Sequence, residues 1–441
     1  MPETYGHDVV SERLTLALLV AVSSVLCCLS LVLLAPYDAF HIFYSAALLP
    51  NAVIAVTTFF PVALLFVFAD FSFGYFVGFH LYMQILGYLW LSKFSDLPYN
   101  HQTAEISAAI SAIAFLVPAV LVRAPIPQIF VLSERTFEKL LIAVLLLAAT
   151  VVAVGASYSF KVVSLLDIYN FRDQLGLPTP LNYLIGITSS ALLPFAFACF
   201  ALRGAFWKAA AALILLFLFY TITLSKVAFF GPLWLVYIAI LSKVSGSRIT
   251  VFLSLLLPLA VGVVLMVFFP AYAYPYHHIV NLRMFAIPSN AMDLYNDFFA
   301  HHDHTYFCQI SFLKNVLPCP YREPLSIVMQ QAYAAGNVNA SLFATEGVAS
   351  VGVLFAPFSA LVCGLVVALA NRLSAGLPSR FVLISSALFP LILNNVPLTT
   401  VLLTHGAAAI FLLWYVMPRD FFASAPPLKA ASSSPAAASP A

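Results

Sequence analysis

Long apolar runs separated by short polar breaks fill the chain from about residue 14 to residue 417, with one long interruption between about Ala271 and Ser350. The runs are roughly 17–25 residues long and do not alternate with period two. They therefore read as helices able to cross about 30 Å of hydrocarbon, not as strands of a barrel. About twelve spanning helices are expected, over 14–35, 48–69, 71–91, 104–122, 139–157, 182–202, 208–224, 227–241, 249–270, 343–370, 379–394 and 397–417. The shortest, 227–241, forms with its predecessor either two spans or a re-entrant pair. The expected fold class is an all-α polytopic membrane protein: helices one to nine over 1–270, a large polar loop over 271–342, helices ten to twelve over 343–417, and a tail over 418–441. The tail is Ala, Ser and Pro without an apolar period and reads as disordered. No internal repeat is evident, which weakens the case for a transporter built from two halves.

Composition agrees. Of 441 residues, 63% are hydrophobic and 8% charged, against about a quarter charged in soluble domains. The segment before the first apolar run carries Glu3, Asp8, Glu12 and Arg13, and no small-residue cleavage site follows it, so the first helix is expected to be retained. The net charge of +2 says little, but its distribution sets an orientation. With the N-terminus inside, the inner segments hold Arg13, Arg123, Arg135, Lys139, Arg203, Lys208, Lys243, Arg248, Arg372, Arg380, Arg419 and Lys429. The outer segments hold Lys93, Lys161, Arg172, Lys226, Arg283, Lys314 and Arg322. Twelve against seven places both termini in the cytoplasm and the large loop outside. Cys27, Cys28, Cys199 and Cys363 lie in apolar runs as core thiols, whereas Cys308 and Cys319 share the loop and can pair in an oxidising compartment.

Cations kept on the disfavoured side, close to the membrane, suggest a bound anion. Arg172, in Asp167-Ile-Tyr169-Asn-Phe-Arg172, could grip a phosphate with its two-pronged donor set, or simply pair with Asp167 in an interfacial belt. Lys226 could meet a phosphate oxygen or snorkel to the interface. Arg283 could be a second clamp, or could pair with Asp293. The run His301-His302-Asp303-His304 invites a zinc reading, but adjacent ligands suit tetrahedral geometry poorly, so no metal is expected. It is either a solvated cluster or the source of a base near neutral pH. Glu346, at the outer end of helix ten, needs a partner such as an outer arginine, or else faces a wet cavity as a base. No Walker loop, dinucleotide fingerprint or Gly-x-Ser-x-Gly turn is present, and nothing suggests nucleic acid.

Taken in order, Asp167-x-Tyr169-x-x-Arg172, Ser225-Lys226, Arg283 ahead of Tyr295-x-x-Phe298-Phe299, His304-Thr-Tyr306 and Asn337-x-Asn339 resemble the bacterial O-antigen polymerases, the Wzy-like oligosaccharide repeat-unit polymerases, over roughly residues 160–370. The resemblance implies a membrane glycosyltransferase of GT-C-like architecture in the bacterial inner membrane. Such an enzyme transfers a growing glycan from undecaprenyl pyrophosphate onto the next lipid-linked repeat unit at the periplasmic face, building O-antigen or exopolysaccharide. It implies no cofactor and no metal, with membrane lipids and a chain-length regulator protein as partners. On that reading Arg172, Lys226 and Arg283 would hold the pyrophosphate, and His304, Glu346 or His301 would be the base. Tyr169, Tyr295, Tyr306, Arg322 and Asn339 would contact sugar. The rivals are an O-antigen ligase of similar architecture and a flippase for the lipid-linked oligosaccharide. A flippase would need charges deep in the helices, which are nearly absent here.

Overall fold

The computed structural model describes residues 3–32, 40–163, 176–310, 313–314, 316–336 and 338–423. Asp167, Tyr169, Arg172, Asn337 and the end of the expected tail lie outside them. Among the described residues the chain is all-helical, and eight helices are long and apolar enough to cross a membrane. They are α1 (Glu3–Val32), α2 (Ala46–Phe68), α4 (His101–Leu121), α5 (Glu134–Tyr158), α6 (Thr179–Leu202), α7 (Phe206–Thr223), α8 (Lys226–Phe268) and α11 (Phe343–Ser374). The chain is a multi-pass membrane protein by this measure.

At the centre stands α3 (Phe73–Leu91), every residue of which is buried. Its sequence is aromatic and aliphatic all round, so it has no solvent or lipid face to present. Ser72 starts it by accepting the Tyr75 N–H at 3.0 Å, and Asn100 starts α4 by accepting the Thr103 N–H at 3.0 Å. Phe79 packs edge-to-face on Phe252 of α8 at 4.6 Å, and Phe73 on Trp414 at 5.3 Å. Two polar residues interrupt α3, His80 and Gln84. Gln84 donates to the Pro288 carbonyl at 3.0 Å and to Ser341 Oγ at 2.9 Å, which ties both ends of the polar stretch to the central helix.

Two apparent single helices are hairpins. In α8, Gly246 has φ +75 and ψ 167, a conformation open to glycine, and the arms run back on each other so that Tyr237 Oη reaches the Leu253 carbonyl at 2.9 Å. The expected segments 227–241 and 249–270 are these arms. In α11 the same turn occurs at Gly352, φ +77 and ψ 166. There Phe343–Ala349 is π-helical and lies against the following arm, with Ser359 Oγ donating to the Glu346 carbonyl at 2.7 Å. The expected continuous helix 343–370 therefore turns back on itself near its start.

The 271–342 segment is more helical and more buried than a loop. A helical stretch, α9, runs through Pro270–His277, π-helical His278–Ala286 and Ile287–His301. Every residue from Ile287 to Phe299 is buried, with Ser289 Oγ donating to the Gln84 carbonyl at 3.1 Å. A shorter helix, α10 (Leu325–Tyr333), covers it. Cys308 and Cys319 form a disulfide, Cα–Cα 5.4 Å. Beyond α11 the helices are short: α12 (Ser379–Ser385), α13 (Phe389–Leu393), α14 (Leu398–Leu403) and α15 (Ala407–Val416). The expected helices 379–394 and 397–417 are thus each interrupted.

Basic residues assigned to the inner segments gather at one end, three of them on backbone carbonyls: Arg372 Nε to Ala124 O at 3.0 Å, Arg380 Nη2 to Ala239 O at 3.1 Å, and Arg419 Nη1 to Trp414 O at 2.9 Å. Asn371 joins three helices there. Its Oδ1 accepts the Gly74 N–H at 2.7 Å, and its Nδ2 donates to the Ala119 carbonyl at 2.7 Å. Asn371→Leu strands these buried groups and is expected to destabilise the fold by about 2–4 kcal/mol, read as a lowered Tm of the detergent-solubilised protein. An unchanged Tm would show that the three-helix tie carries no weight.

Candidate functional site

Opposite the basic end, the polar stretch and the broken C-terminal helices line a half-open cavity of about 320 Å³. Tyr295, Lys314, Asn339, Glu346, Thr399 and His405 all line it. Three of these, Tyr295, Asn339 and Glu346, are residues singled out from the sequence. Sequence reasoning gave no role to Lys314, Thr399 or His405, although a histidine inside the apolar run 397–417 is itself a signal.

Glu346 lies on the π-helical arm of α11 and is 4% exposed. Its carboxylate accepts the N–H of Leu398 at 3.1 Å, and the N–H and Oγ1 of Thr399, both at 2.8 Å. No arginine pairs with it among the described residues. It closes the first turn of α14, where Pro397 leaves the first N–H groups without a side-chain cap.

The histidine run is divided among separate tasks. His301 bonds through Nδ1 to the Asp297 carbonyl at 3.0 Å, and its ring is exposed. His302 stacks on Phe298 at 3.9 Å and bonds to the Phe298 carbonyl at 2.8 Å. His304 packs over Gly352, where a Cβ would come within 2.7 Å of its Nε2. The neighbouring backbone is pinned to the same turn by Thr305 N–H to Ala349 O at 2.8 Å and Tyr306 N–H to Ser350 O at 3.1 Å. Tyr306 projects outward, and Arg322 is exposed. Among the described residues no group of three or more His, Cys, Asp and Glu side chains could hold a metal ion.

Lys226 and Arg283 both act electrostatically on His278. Lys226 opens α8 and Arg283 lies in the π-helical part of α9. Burial lowers the His278 imidazole below its ordinary pKa first, and the Arg283 and Lys226 cations lower it further. Neither cation lines the cavity. Arg172 and Tyr169 lie outside the described residues.

On the face of α9 turned toward the start of α4, Asp293 and Asp297 form an unforeseen acidic pair. Tyr99 Oη donates to Asp293, Tyr88 and Tyr99 hydroxyls meet at 3.1 Å, and Tyr333 of α10 donates to Asp297 Oδ2 at 2.6 Å. Asp293 therefore pairs with tyrosine, not with Arg283. Its spacing of four from Asp297 on an amphipathic helix is the signal that could have marked the pair.

Burial pushes the Asp293 carboxyl up from 3.8 to about 6, with bonds from Ser95 and Tyr99 and the His101 charge opposing, and the Asp297 charge adding to the rise. An acid whose folded pKa is raised stabilises the fold below its unfolded pKa. That stability is lost as pH rises from 3.8 through about 6. The ionised group then costs about 3 kcal/mol at neutral pH. Asp293→Asn is expected to raise Tm relative to the wild type, by more at pH 8 than at pH 4. A gap independent of pH would refute the shift.

Comparison with protein families, with characterised proteins and with solved structures gives no match.

Proposed function

We propose that the protein is a polytopic inner-membrane glycosyltransferase with about twelve spans, which joins undecaprenyl-pyrophosphate-linked oligosaccharide repeat units at the periplasmic face. The observation that carries the reading is the pairing, at one end of a charge-poor bundle, of a polar cavity with two cations outside it, Lys226 and Arg283, that both act on His278. The cavity supplies an aromatic face, an amide, hydroxyls and a cation, the set that binds a sugar. Lys226 and Arg283 supply charge suited to a pyrophosphate. Arg283 and Tyr295 stand twelve residues apart on one helical stretch, on the order of 15–18 Å along its axis.

That separation favours polymerisation over ligation to a lipid core. A polymerase must hold two lipid pyrophosphates. The acceptor's pyrophosphate lies a repeat unit away from the hydroxyl that reacts. Lys226 and Arg283 suit the acceptor's anchor, and the cavity suits the bond-forming end. A flippase would need a polar path through the bundle, whereas α3 is fully buried and carries no charged residue.

Two further observations support the orientation. The Cys308–Cys319 disulfide belongs in an oxidising compartment, and the opposite end gathers the basic residues expected to face the cytoplasm. In cells, Cys308 and Cys319 are expected to resist thiol alkylation until reduced. A cysteine placed at Arg322 is expected to react with a membrane-impermeant maleimide that does not reach one placed at Arg135. Labelling of position 135 alone would reverse the topology.

Deleting the gene is expected to leave surface glycan with a single repeat unit and no long chains, as read on a gel. Arg283→Ala and Lys226→Ala are expected to give the same single-repeat pattern. Polymer still made on the carrier, with none attached to its final acceptor, would mean a ligase. Wild-type chain lengths in both variants would remove the pyrophosphate role.

A further inference from the structure

The last apolar run is broken where an uninterrupted helix was expected. α14 ends at Leu403, α15 begins at Ala407, and Thr404-His405-Gly406 forms the break. Breaks at membrane depth are tolerated where they are buried in protein or line a wet cavity, and this one does both. Gly406, φ +76, fits against Ile187 and Ala191, where a Cβ would come within 2.9 Å of the Ala191 Cβ. The wall it meets adjoins the π-helical turn Thr188–Leu192 of α6, and that turn supplies Ser190. On its other side His405 lines the cavity.

We infer that His405 is the base that takes the proton from the acceptor hydroxyl. The inference rests on the glycosyltransferase reading and names a residue for it. His405 Nδ1 meets Ser190 Oγ at 3.2 Å. If Nδ1 carries the hydrogen and donates it to Ser190, Nε2 keeps its lone pair for the substrate. Ser190 is thus a positioning residue, and Glu346 is another, since it fixes the first turn of the helix that carries His405. The other candidates are otherwise engaged. Glu346 already accepts three hydrogen bonds, His304 sits over Gly352 outside the cavity lining, and His301 is exposed with Nδ1 bonded to its own helix.

The acceptor O–H gives its proton to Nε2 while its oxygen bonds to the anomeric carbon of the donor glycan. The bond from that carbon to the pyrophosphate oxygen breaks, and the electron pair leaves with the lipid pyrophosphate. The imidazolium then returns its proton to water. Lys314 is the cation lining the cavity, and it faces the charge that develops on the leaving group.

The experiment uses the full-length protein in detergent or vesicles with the purified lipid-linked repeat unit. His405→Gln is expected to lower polymerisation on the order of 100-fold. His405→Ala is expected to do the same and to recover measurable activity with added imidazole. The titratable groups facing the cavity are His405, Glu346, Lys314 and Tyr295. The acid limb of the wild-type kcat profile is expected to vanish in His405→Gln and to persist in Lys314→Gln. His405→Gln working within threefold of wild type overturns the assignment, and so does an acid limb that persists in it. If the His405 variants fail to fold, Ser190→Ala decides: it is expected to lower kcat about tenfold with KM unchanged, and an unaltered kcat overturns the assignment. A wild-type protein that makes no polymer from this substrate refutes the glycosyltransferase reading itself, which separates the two failures.

Discussion

A carboxylate inside the bundle holds the site together. Where the chain turns at Pro397 to begin α14, backbone N–H groups emerge with no preceding helical carbonyl to accept them, and leaving such groups bare in an apolar setting costs several kcal/mol each. Glu346 meets two of them and the Thr399 hydroxyl as well. A burial that would be prohibitive for an isolated carboxylate is offset by these three donors. The consequence is geometric: α14 is fixed against the α11 arm, and the cavity wall between them is fixed with it. The same bonds occupy three of the roughly four acceptor sites of the carboxylate.

Most of the frame was legible because hydrophobic run length has one dominant reading in a membrane. The central helix was read as 71–91 and is Phe73–Leu91, bounded by Ser72, whose side chain caps the first turn. What periodicity could not show was reversal within a run. The break at Gly246 is expected from the sequence, since 227–241 and 249–270 are read as separate segments, but at Gly352 a single glycine turns the chain, and hydropathy is unaffected by a turn of one residue. The 271–342 stretch is harder to read for a related reason. Asn290, Asp293, Asn296 and Asp297 make it look solvated, yet all four are buried. Each faces a polar partner on a neighbouring element, such as the Phe40 carbonyl for Asn290 or the Tyr99 hydroxyl for Asp293. Polarity in sequence reports the need for a partner, and water is only one of the partners available.

The candidate site shows the same limit from the other side. Residue type alone drew attention to the His301–His304 run, but a histidine's chemistry depends on what its second nitrogen meets. His302 is spent on stacking and a backbone bond, and His301 on its own helix. His405 is a lone histidine in an apolar run, and it has the arrangement a base needs: one ring nitrogen on Ser190 and the ring at a cavity wall. That arrangement joins residues more than two hundred positions apart, so no local pattern could display it.

Three π-helical segments occur among the described residues. They lie at Thr188–Leu192, His278–Ala286 and Phe343–Ala349, and they carry Ser190, Arg283 and Glu346. A π-helical turn widens the helix and rotates later side chains off the regular face, at some loss of hydrogen-bond quality, and such turns concentrate at functional sites. In an apolar bundle, a regular helix would continue to present each polar residue on the face its position dictates. Local widening redirects one polar side chain while the rest of the apolar stripe keeps its packing. Two of these deviations carry a polar group that meets another element, Ser190 at His405 and Glu346 at α14, and the third carries Arg283, whose charge acts on His278. The irregularity of the frame is therefore placed where these polar groups are, and α3, buried along its whole length, remains a regular helix.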